Sequence, residues 1–208
     1  MADVNEMFSK VTEEQSFFNP KKKKQFTPVA KGEYYGHIVE VDSKILDVKG
    51  GQYKARLYTY TVEVAAENKS KSFQYEGIDG KFVDTKGDVY VGGKFKGKLW
   101  RFLEPSKDDD FESNANGNTG YLKFCETIGV ECPTETRTID GEDVEVQLLP
   151  NLTSDVMLGQ PIVAFVDKGR PFTNKEGREV FFWDCKFCKK WSGGKKKDIK
   201  TGSGDLPF

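Results

Sequence analysis

The sequence predicts a mainly β protein: a five-stranded barrel with one helix, extended loops and mobile terminal arms. Segments that alternate apolar and polar residues, the period of a strand, recur along the chain. Turns rich in Gly, Pro and Asn separate these segments. A helical spacing of apolar residues occurs around Cys125. The chain has 208 residues, of which 37% are hydrophobic, which is enough for one domain with long polar loops.

The first two predicted strands are Tyr34–Val41 and Tyr53–Ala65, with a glycine turn at residues 50–51 between them. One face of the second strand is cationic and aromatic at its start and apolar at its end. This pattern suits a strand that runs from an exposed groove into a core. Phe73–Gly77 is predicted as a short third strand, and Asp88–Val91 as another.

Residues 79–98 are rich in Gly and Lys, which predicts a flexible basic loop. Gly92, Gly97 and Lys98 have the G-x-x-x-x-G-K spacing of a phosphate-cradling loop. Leu99 stands where that motif requires Ser or Thr. We therefore expect a loop that can close over a nucleic-acid strand, and no nucleotide site.

The helix is predicted at Tyr121–Ile128, where apolar residues follow the i, i+3, i+4, i+7 rule. Thr119 is expected to cap its start and Gly129 to end it. The acidic segment Thr134–Glu145 follows as an inserted hairpin or loop, and Leu148–Met157 contains a short helical turn.

Two strands complete the barrel. Pro161–Val166 is a compact apolar strand, Asp167–Arg178 a long hairpin loop, and Glu179–Trp191 the last strand. About five strands with a helix before the last two is the outline of an OB-fold barrel. We assign that domain to residues 29–192.

The remaining residues form the two terminal arms. Residues 1–28, which include Lys21–Lys24, are predicted to be a flexible basic arm, and residues 193–208 a flexible tail. The net charge of the chain is −1, but residues 101–160 carry −9, while the blocks before and after them carry +3 and +5. Contact with phosphates depends on the local charge of a face, so the total does not exclude a nucleic-acid partner.

Glu179–Trp191 is the most informative segment, because five of its 13 residues are aromatic. Rings interleaved with lysines suit a single-stranded nucleic acid, since rings stack on bases and lysines contact phosphates. The alternative is a core strand with a solvated back. Candidate binding residues are Trp183, Lys186 and Trp191 in this segment, Lys54, Arg56, Tyr58 and Tyr60 on the second strand, and Trp100.

Trp183 and Lys186 lie on opposite faces of a regular strand, so both can contact one ligand only if the strand is bulged between them. Cys185 and Cys188 also point to opposite faces of a regular strand. A zinc site would require two further ligands from Cys125 and Cys132, whose spacing is not that of a standard knuckle. We expect four reduced structural thiols, with a zinc-stabilised protein-interaction adaptor as an alternative.

The sequence offers no constellation typical of an enzyme. The only histidine, His37, lies in a strand pattern without a nucleophile that the sequence can place beside it. Asp108–Asp110 could bind Mg²⁺, so a metal-dependent nuclease is a further alternative, although adjacent carboxylates on a loop favour solvation. We expect neither catalysis nor a bound metal or cofactor.

No apolar run is long enough to cross a membrane, and the N-terminus lacks the features of a signal peptide. The sequence therefore predicts a cytoplasmic protein without a membrane partner. It leaves the oligomeric state open, including a homo-oligomer.

The last four residues are Asp205, Leu206, Pro207 and Phe208. They resemble the C-terminal tip of bacterial single-stranded DNA-binding proteins, which end in Asp-Ile-Pro-Phe or close variants. The resemblance implies that this tip recruits replication or recombination proteins, whose pockets take the terminal Phe ring and carboxylate. The chain departs from that family in carrying lysines before the tip in place of a run of aspartates.

The body resembles a family of bacteriophage OB-fold single-stranded DNA-binding proteins. The resembling stretches begin at Ala30, Leu122 and Leu158 and are spread over residues 30–166. The resemblance implies non-specific binding and protection of single-stranded DNA during phage DNA replication, recombination or repair, in the host cell cytoplasm.

Overall fold

A computed structural model of the protein describes residues 28–51, 53–77, 79–102 and 111–199, without the side chains of Lys49, Tyr53 and residues 111–116. Short 3-10 turns lie at Lys49–Gly51, Ala66–Ser70 and Gly87–Tyr90. The helices and strands follow one another as β1 (Gly32–Val48), β2 (Tyr53–Val64), β3 (Ser72–Glu76), β4 (Phe82–Lys86), β5 (Lys94–Phe102), α1 (Phe111–Thr127), β6 (Thr134–Ile139), β7 (Glu142–Gln147), α2 (Ser154–Met157), β8 (Pro161–Lys168), β9 (Phe172–Thr173), β10 (Glu179–Val180) and β11 (Trp183–Lys190).

Five of these strands close into a barrel in the order β1, β2, β5, β11, β8. Every neighbouring pair is antiparallel except β5 and β11, which run parallel. The helix α1 lies in the chain between the third and fourth barrel strands. This arrangement confirms the prediction of a mainly β, OB-fold-like barrel with a helix before its last two strands.

Aromatic rings fill much of the barrel core. Tyr34 from β1 stacks on Phe73 with 4.5 Å between ring centroids and meets Tyr90 edge-on at 5.5 Å. Elsewhere in the core, the ring centroids of Tyr58 and Tyr121 are 6.0 Å apart. Full burial of one such side chain contributes about 1.5–3 kcal/mol. The core therefore joins residues from β1, β2, the turn before β5, and the helix α1.

The helix is longer than predicted, although the predicted apolar face is confirmed. Tyr121, Phe124, Cys125 and Ile128 are all buried. Because α1 begins at Phe111, Thr119 lies inside it and does not cap its start. Gly129 ends the helix as expected: its φ is 76°, and the next amide donates to the Cys125 carbonyl oxygen at 2.9 Å.

The basic segment predicted as a loop is in part the third barrel strand, β5, so that prediction is wrong. Gly97 favoured the loop prediction, but in the structure it lies within β5 and packs against a buried ring. A Cβ atom at Gly97 would lie 2.3 Å from Cζ of the Tyr60 ring, so only glycine lets β5 pass over that ring. The strand predicted at Asp88–Val91 is also wrong, because Gly87–Tyr90 forms a 3-10 turn.

Three two-stranded hairpins extend from the barrel, formed by β3–β4, β6–β7 and β9–β10. The β6–β7 hairpin confirms the predicted acidic insertion. It turns at Asp140 and Gly141, whose positive φ angles of 51° and 86° suit a two-residue turn. The β9–β10 hairpin occupies the connection that the sequence assigned to a loop.

The last predicted strand is divided in two. Glu179–Val180 forms β10, and β11 begins at Trp183. The register with β8 shifts between Cys185 and Phe187, so Lys186 is the extra residue of a β-bulge. The expectation that Cys185 and Cys188 point to opposite faces is therefore wrong, because the bulge returns both side chains to the interior.

Residues beyond β11 continue to contact the barrel. The amide of Lys197 donates to the Gly159 carbonyl oxygen at 2.9 Å, and the Lys197 ammonium lies 2.9 Å from a Glu63 carboxylate oxygen. The domain therefore extends past residue 192. Residues 1–27 and the tip at 205–208 lie outside the described residues. Among the described helices, none combines the length and apolar character needed to cross a membrane.

Candidate nucleic-acid interface

The outer face of β5 carries a row of lysines. Phe95, Gly97 and Leu99 point into the barrel and are buried. The alternate residues Lys94, Lys96 and Lys98 are exposed on the outer face. Because side chains on one face of a strand repeat about every 7 Å, these ammonium groups form an evenly spaced line.

The lysines of this row differ in their ion pairs within the described part of the chain. The Lys94 ammonium lies 2.8 Å from Glu40, a contact that raises the pKa of Lys94 and lowers that of Glu40. Lys96 and Lys98 form no salt bridge with any residue in the described ranges. Besides the contact with Lys94, the charge of Lys96 also lowers the pKa of Glu40, so Lys96 lies near that carboxylate.

Trp100 follows these lysines on the same outer face, opposite Leu57 of β2. Its side chain is 38% exposed, so part of the ring is accessible to a ligand. Of the predicted binding residues, Trp100 is the one whose exposed ring shares a face with Lys96 and Lys98. The face offers a stacking platform beside two positive charges.

The neighbouring strand β11 extends this face. Asp184 pairs with Lys96 across the two parallel strands. The exposed Lys186 ammonium lies 3.6 Å from the Asp184 carboxylate, which partly offsets its charge. Phe187, the next residue, is exposed and stacks on Phe165 with 4.6 Å between centroids. The bulge thus lets Lys186 and Phe187 both lie outside the barrel, although they are sequence neighbours.

The β9–β10 hairpin, residues 169–182, supplies further exposed rings, and we call it the aromatic hairpin. Phe172 and Phe182 stack on each other with centroids 4.9 Å apart, and Phe182 is 68% exposed. Phe181 is also exposed, and the Lys168 ammonium lies 4.8 Å from its ring centroid. Since Asp184 pairs with Lys96, this hairpin lies near the start of β5 and Trp100 toward its end.

Two predicted contact residues belong to the core instead. Tyr58 and Tyr60 are 2% and 3% exposed and point into the barrel. The Tyr60 ring packs on Phe124 at 5.2 Å, and burial raises the pKa of its hydroxyl well above the ordinary value. Neither ring can stack on a base without opening the barrel, so we remove both from the interface.

The cations at the start of β2 have mixed positions. Lys54 is exposed and pairs in register with Asp47 of β1. Arg56 is half-buried on the inner face, directly opposite Arg101 of β5, and its Nε atom has no hydrogen-bond partner. Neither residue lies on the outer face that carries Lys96 and Lys98.

The other two predicted tryptophans are engaged in packing. Trp183 is half-buried against the core and meets Phe181 edge-on at 5.8 Å. Trp191 stacks on Tyr35 of β1 at 4.9 Å and also contacts the His37 ring. Because β1 is not a neighbour of β5 in the barrel, the structure does not join Trp191 to the lysine row.

The described residues do not assemble a metal site. No group of three or more His, Cys, Asp or Glu side chains converges within them, so Cys125 and Cys132 do not join Cys185 and Cys188. Asp108–Asp110, the candidate magnesium ligands, lie outside the described residues. His37 is engaged structurally, because its Nε2 lies 3.0 Å from the Lys195 carbonyl oxygen.

The sequence analysis missed Lys96, Lys98 and the exposed rings of the aromatic hairpin. A signal for the lysines is present: residues 94–99 alternate Lys with Phe, Gly and Leu, which is the period of a half-buried strand. Gly92, Gly93 and Gly97 favoured a loop over a strand, so this alternation was not used as a prediction of a strand. No family model matches the chain, and comparison with curated proteins and with solved structures gives no significant match.

Proposed function

We propose that the protein binds single-stranded DNA without sequence specificity, through the outer faces of β5 and β11 and the aromatic hairpin. The observation that carries this proposal is the presence of Lys96, Lys98 and Trp100 on one exposed strand face. Exposed lysines neutralise phosphates, and an exposed ring stacks on any base. Neither contact depends on base identity.

The position of this face within the fold supports the proposal by analogy. OB-folds bind oligonucleotides on the second and third strands and through the loops that join strands one to two and four to five. Here β2 and β5 are the second and third barrel strands. The aromatic hairpin is the connection between the fourth and fifth. The lysine row and the exposed rings therefore occupy the surface that this architecture uses for nucleic acids.

The biological setting belongs to the same proposal. The protein protects single-stranded DNA in phage DNA replication, recombination or repair, and its tip at Asp205–Phe208 recruits partner proteins. The support is the resemblance of the tip and the body to the single-stranded DNA-binding families described above. No observation in the described residues favours the nuclease or the zinc-stabilised adaptor.

A double substitution, Lys96→Ala with Lys98→Ala, tests the proposal. Log affinity for oligothymidylate should fall linearly with log salt, with a slope of about −0.7 per phosphate neutralised on a single strand. The double variant should bind more weakly and lose about 1.4 units of that slope. Fluorescence anisotropy at several salt concentrations measures both quantities.

The matched control is Lys69→Ala with Lys123→Ala, which removes two exposed lysines from the turn after β2 and from α1. It should leave affinity and slope unchanged. Equal losses of affinity and salt slope in both double variants would refute the proposal that the outer face of β5 binds DNA. Parallel titrations with duplex DNA and RNA define the preferred nucleic acid, and cleavage of labelled DNA with Mg²⁺ would favour the nuclease.

A further inference from the structure

Two thiols meet a buried hydroxyl beneath the proposed interface. The Sγ atoms of Cys185 and Cys188 are 3.5 Å apart. The Tyr60 hydroxyl oxygen lies 3.2 Å from the Cys188 sulfur and 3.7 Å from the Cys185 sulfur. Cys185 is 4% exposed, whereas Cys188 is half-buried. Nothing in the proposed binding of DNA uses these three groups.

The approach of the two sulfurs is a consequence of the β-bulge. Residues three apart on a regular strand lie on opposite faces and cannot meet. The extra residue Lys186 places both cysteines on the inner face, where their thiols are in contact. The sulfur separation of 3.5 Å must shorten to about 2 Å for a covalent bond, which requires a shift of the bulged backbone between the two residues.

We propose that Cys185 and Cys188 form a reversible oxidation site, which a hydroperoxide converts into an intramolecular disulfide. One thiolate attacks a peroxide oxygen and becomes a sulfenic acid, and the peroxide leaves as water or an alcohol. The second thiol then attacks the sulfenic sulfur, the S–S bond forms, and water leaves. Two electrons pass from the cysteines to the hydroperoxide, and a thiol reductant reverses the change.

The surroundings distinguish this pair from the other cysteines. A hydrogen bond from the Cys188 thiol lowers the pKa of Cys185, while that same contact raises the pKa of Cys188. The pair therefore stabilises one thiolate, the form that reacts with peroxide. Burial raises the pKa of Cys125 to about 12, which keeps that thiol protonated and unreactive.

Oxidation also bears on the proposed interface, and this part of the inference rests on the proposed function. Lys186 and Phe187 are the two residues between the cysteines, and both lie on the outer face of β11. Formation of the disulfide displaces the bulge, and the bulge positions Lys186 and Phe187 on the outer face. We expect oxidation to weaken oligothymidylate binding and to reduce its salt slope, because it disturbs a phosphate contact.

The cleavage pattern of trypsin gives a direct test. Trypsin cuts after Lys186, between the two cysteines, and so releases Cys185 in residues 179–186 and Cys188 in residues 187–189. After treatment of the full chain with hydrogen peroxide and alkylation, an unreduced digest should contain these two peptides joined. Reduction should separate them. Recovery of both as alkylated thiols, or as sulfinic acids, would overturn the proposal.

Two single variants and one binding measurement complete the test. Cys188→Ser should abolish the joined peptide, whereas Cys132→Ser should retain it. Binding of oligothymidylate to reduced and oxidised protein measures the coupling, and equal affinities would overturn that coupling. If reduced protein binds no oligonucleotide, the proposed function fails, while the joined peptide still decides the oxidation site.

Discussion

At the scale of single residues, the environment of each tryptophan separates a binding role from a packing role. Trp100 is exposed on the same face as Lys96 and Lys98, and the structure records no ring contact for it within the described residues. Trp191 already stacks on Tyr35. A ring that is engaged within the protein gains less from a base than a ring that is not.

Replacing Trp100 by Ala should weaken binding of oligothymidylate by about 1–3 kcal/mol, the contribution of one base stacked on an aromatic ring. Its melting temperature should change little, because the ring is exposed. Trp191→Ala is the control, and it should lower the melting temperature while leaving affinity intact. Anisotropy titration and thermal denaturation of both variants measure the two effects, and the reverse pattern would reassign the residues.

Gly97 allows a second prediction at this scale. The Cβ atom of Gly97→Ala would overlap the buried Tyr60 ring, and overpacking of this kind costs about 1–3 kcal/mol or more. Gly120→Ala is the matched control: it lies in α1 with open space around it, and alanine there should stabilise the protein by about 0.5–1 kcal/mol. Urea denaturation compares the two. A Gly97 variant as stable as the parent would contradict the packing described for β5.

At the scale of elements, the aromatic hairpin combines exposed rings with little support from the barrel. Its two short strands pair only with each other. Phe172 and Phe182 bury part of their surface by mutual stacking. An apolar pair that is held outside a core costs solubility, so its retention suits a ligand-binding role.

Replacing both Phe172 and Phe182 by Ser should weaken single-strand binding by about 1–3 kcal/mol for each ring that stacks on a base. The melting temperature should stay close to that of the parent, because both rings are exposed. Phe82→Ser is a suitable control, since Phe82 is exposed on β4, outside the proposed interface. A loss of affinity in this control, or none in the double variant, would argue against the hairpin.

The elements also show where reasoning from sequence works. The apolar face of α1 is visible in the sequence because residues such as Lys123 and Glu126 on its other side are exposed. In β2 the period is weaker, since Ala55, Leu57 and Thr61 are buried on the face opposite Tyr58 and Tyr60. The same argument fails at β11, where Lys186 adds one residue and reverses the faces beyond it. The bulge arises from the pairing of β11 with β8, so the local sequence pattern of β11 does not predict it.

Long-range packing explains the other errors. Tyr58 and Tyr60 share a face with Lys54, and the sequence cannot show that this face turns into the core. Gly97 resembles a loop residue until Tyr60 is placed beneath it. The exposure of Trp100 likewise depends on how the strands close. The fold was therefore predicted well, whereas only Trp100 and Lys186 of the proposed interface were among the predicted binding residues.

At the scale of the whole molecule, the C-terminal segment contains a part that lies on the barrel and a tip to which we assign partner recruitment as a proposal. Residues up to 199 lie on the barrel, where His37 contacts the Lys195 carbonyl and Lys197 contacts Gly159. The four residues of the tip follow beyond the described part. We therefore expect deletions beyond about residue 200 to affect partner recruitment, and deletions before it to affect stability as well.

Deleting Asp205–Phe208 should leave the melting temperature and single-strand affinity unchanged but abolish recovery of replication or recombination proteins in pull-downs from infected-cell extract. Deleting residues 193–208 should also lower the stability, by about 1–3 kcal/mol, because it removes hydrogen bonds worth about 0.5–1.5 kcal/mol each. Equal partner recovery by the full chain and the shorter deletion would refute recruitment by the tip. A large loss of stability on deleting Asp205–Phe208 alone would show that the tip packs on the barrel.

The parallel contact between β5 and β11 has a consequence for how the chain acquires its structure. The last strand inserts between β5 and β8, which nothing else joins. During synthesis the barrel thus stays open until residue 190 has emerged, with two unpaired strand edges exposed to other chains. Closure joins segments far apart in sequence, a kind of contact that forms slowly. We therefore expect the chain to be most prone to aggregation before β11 has inserted.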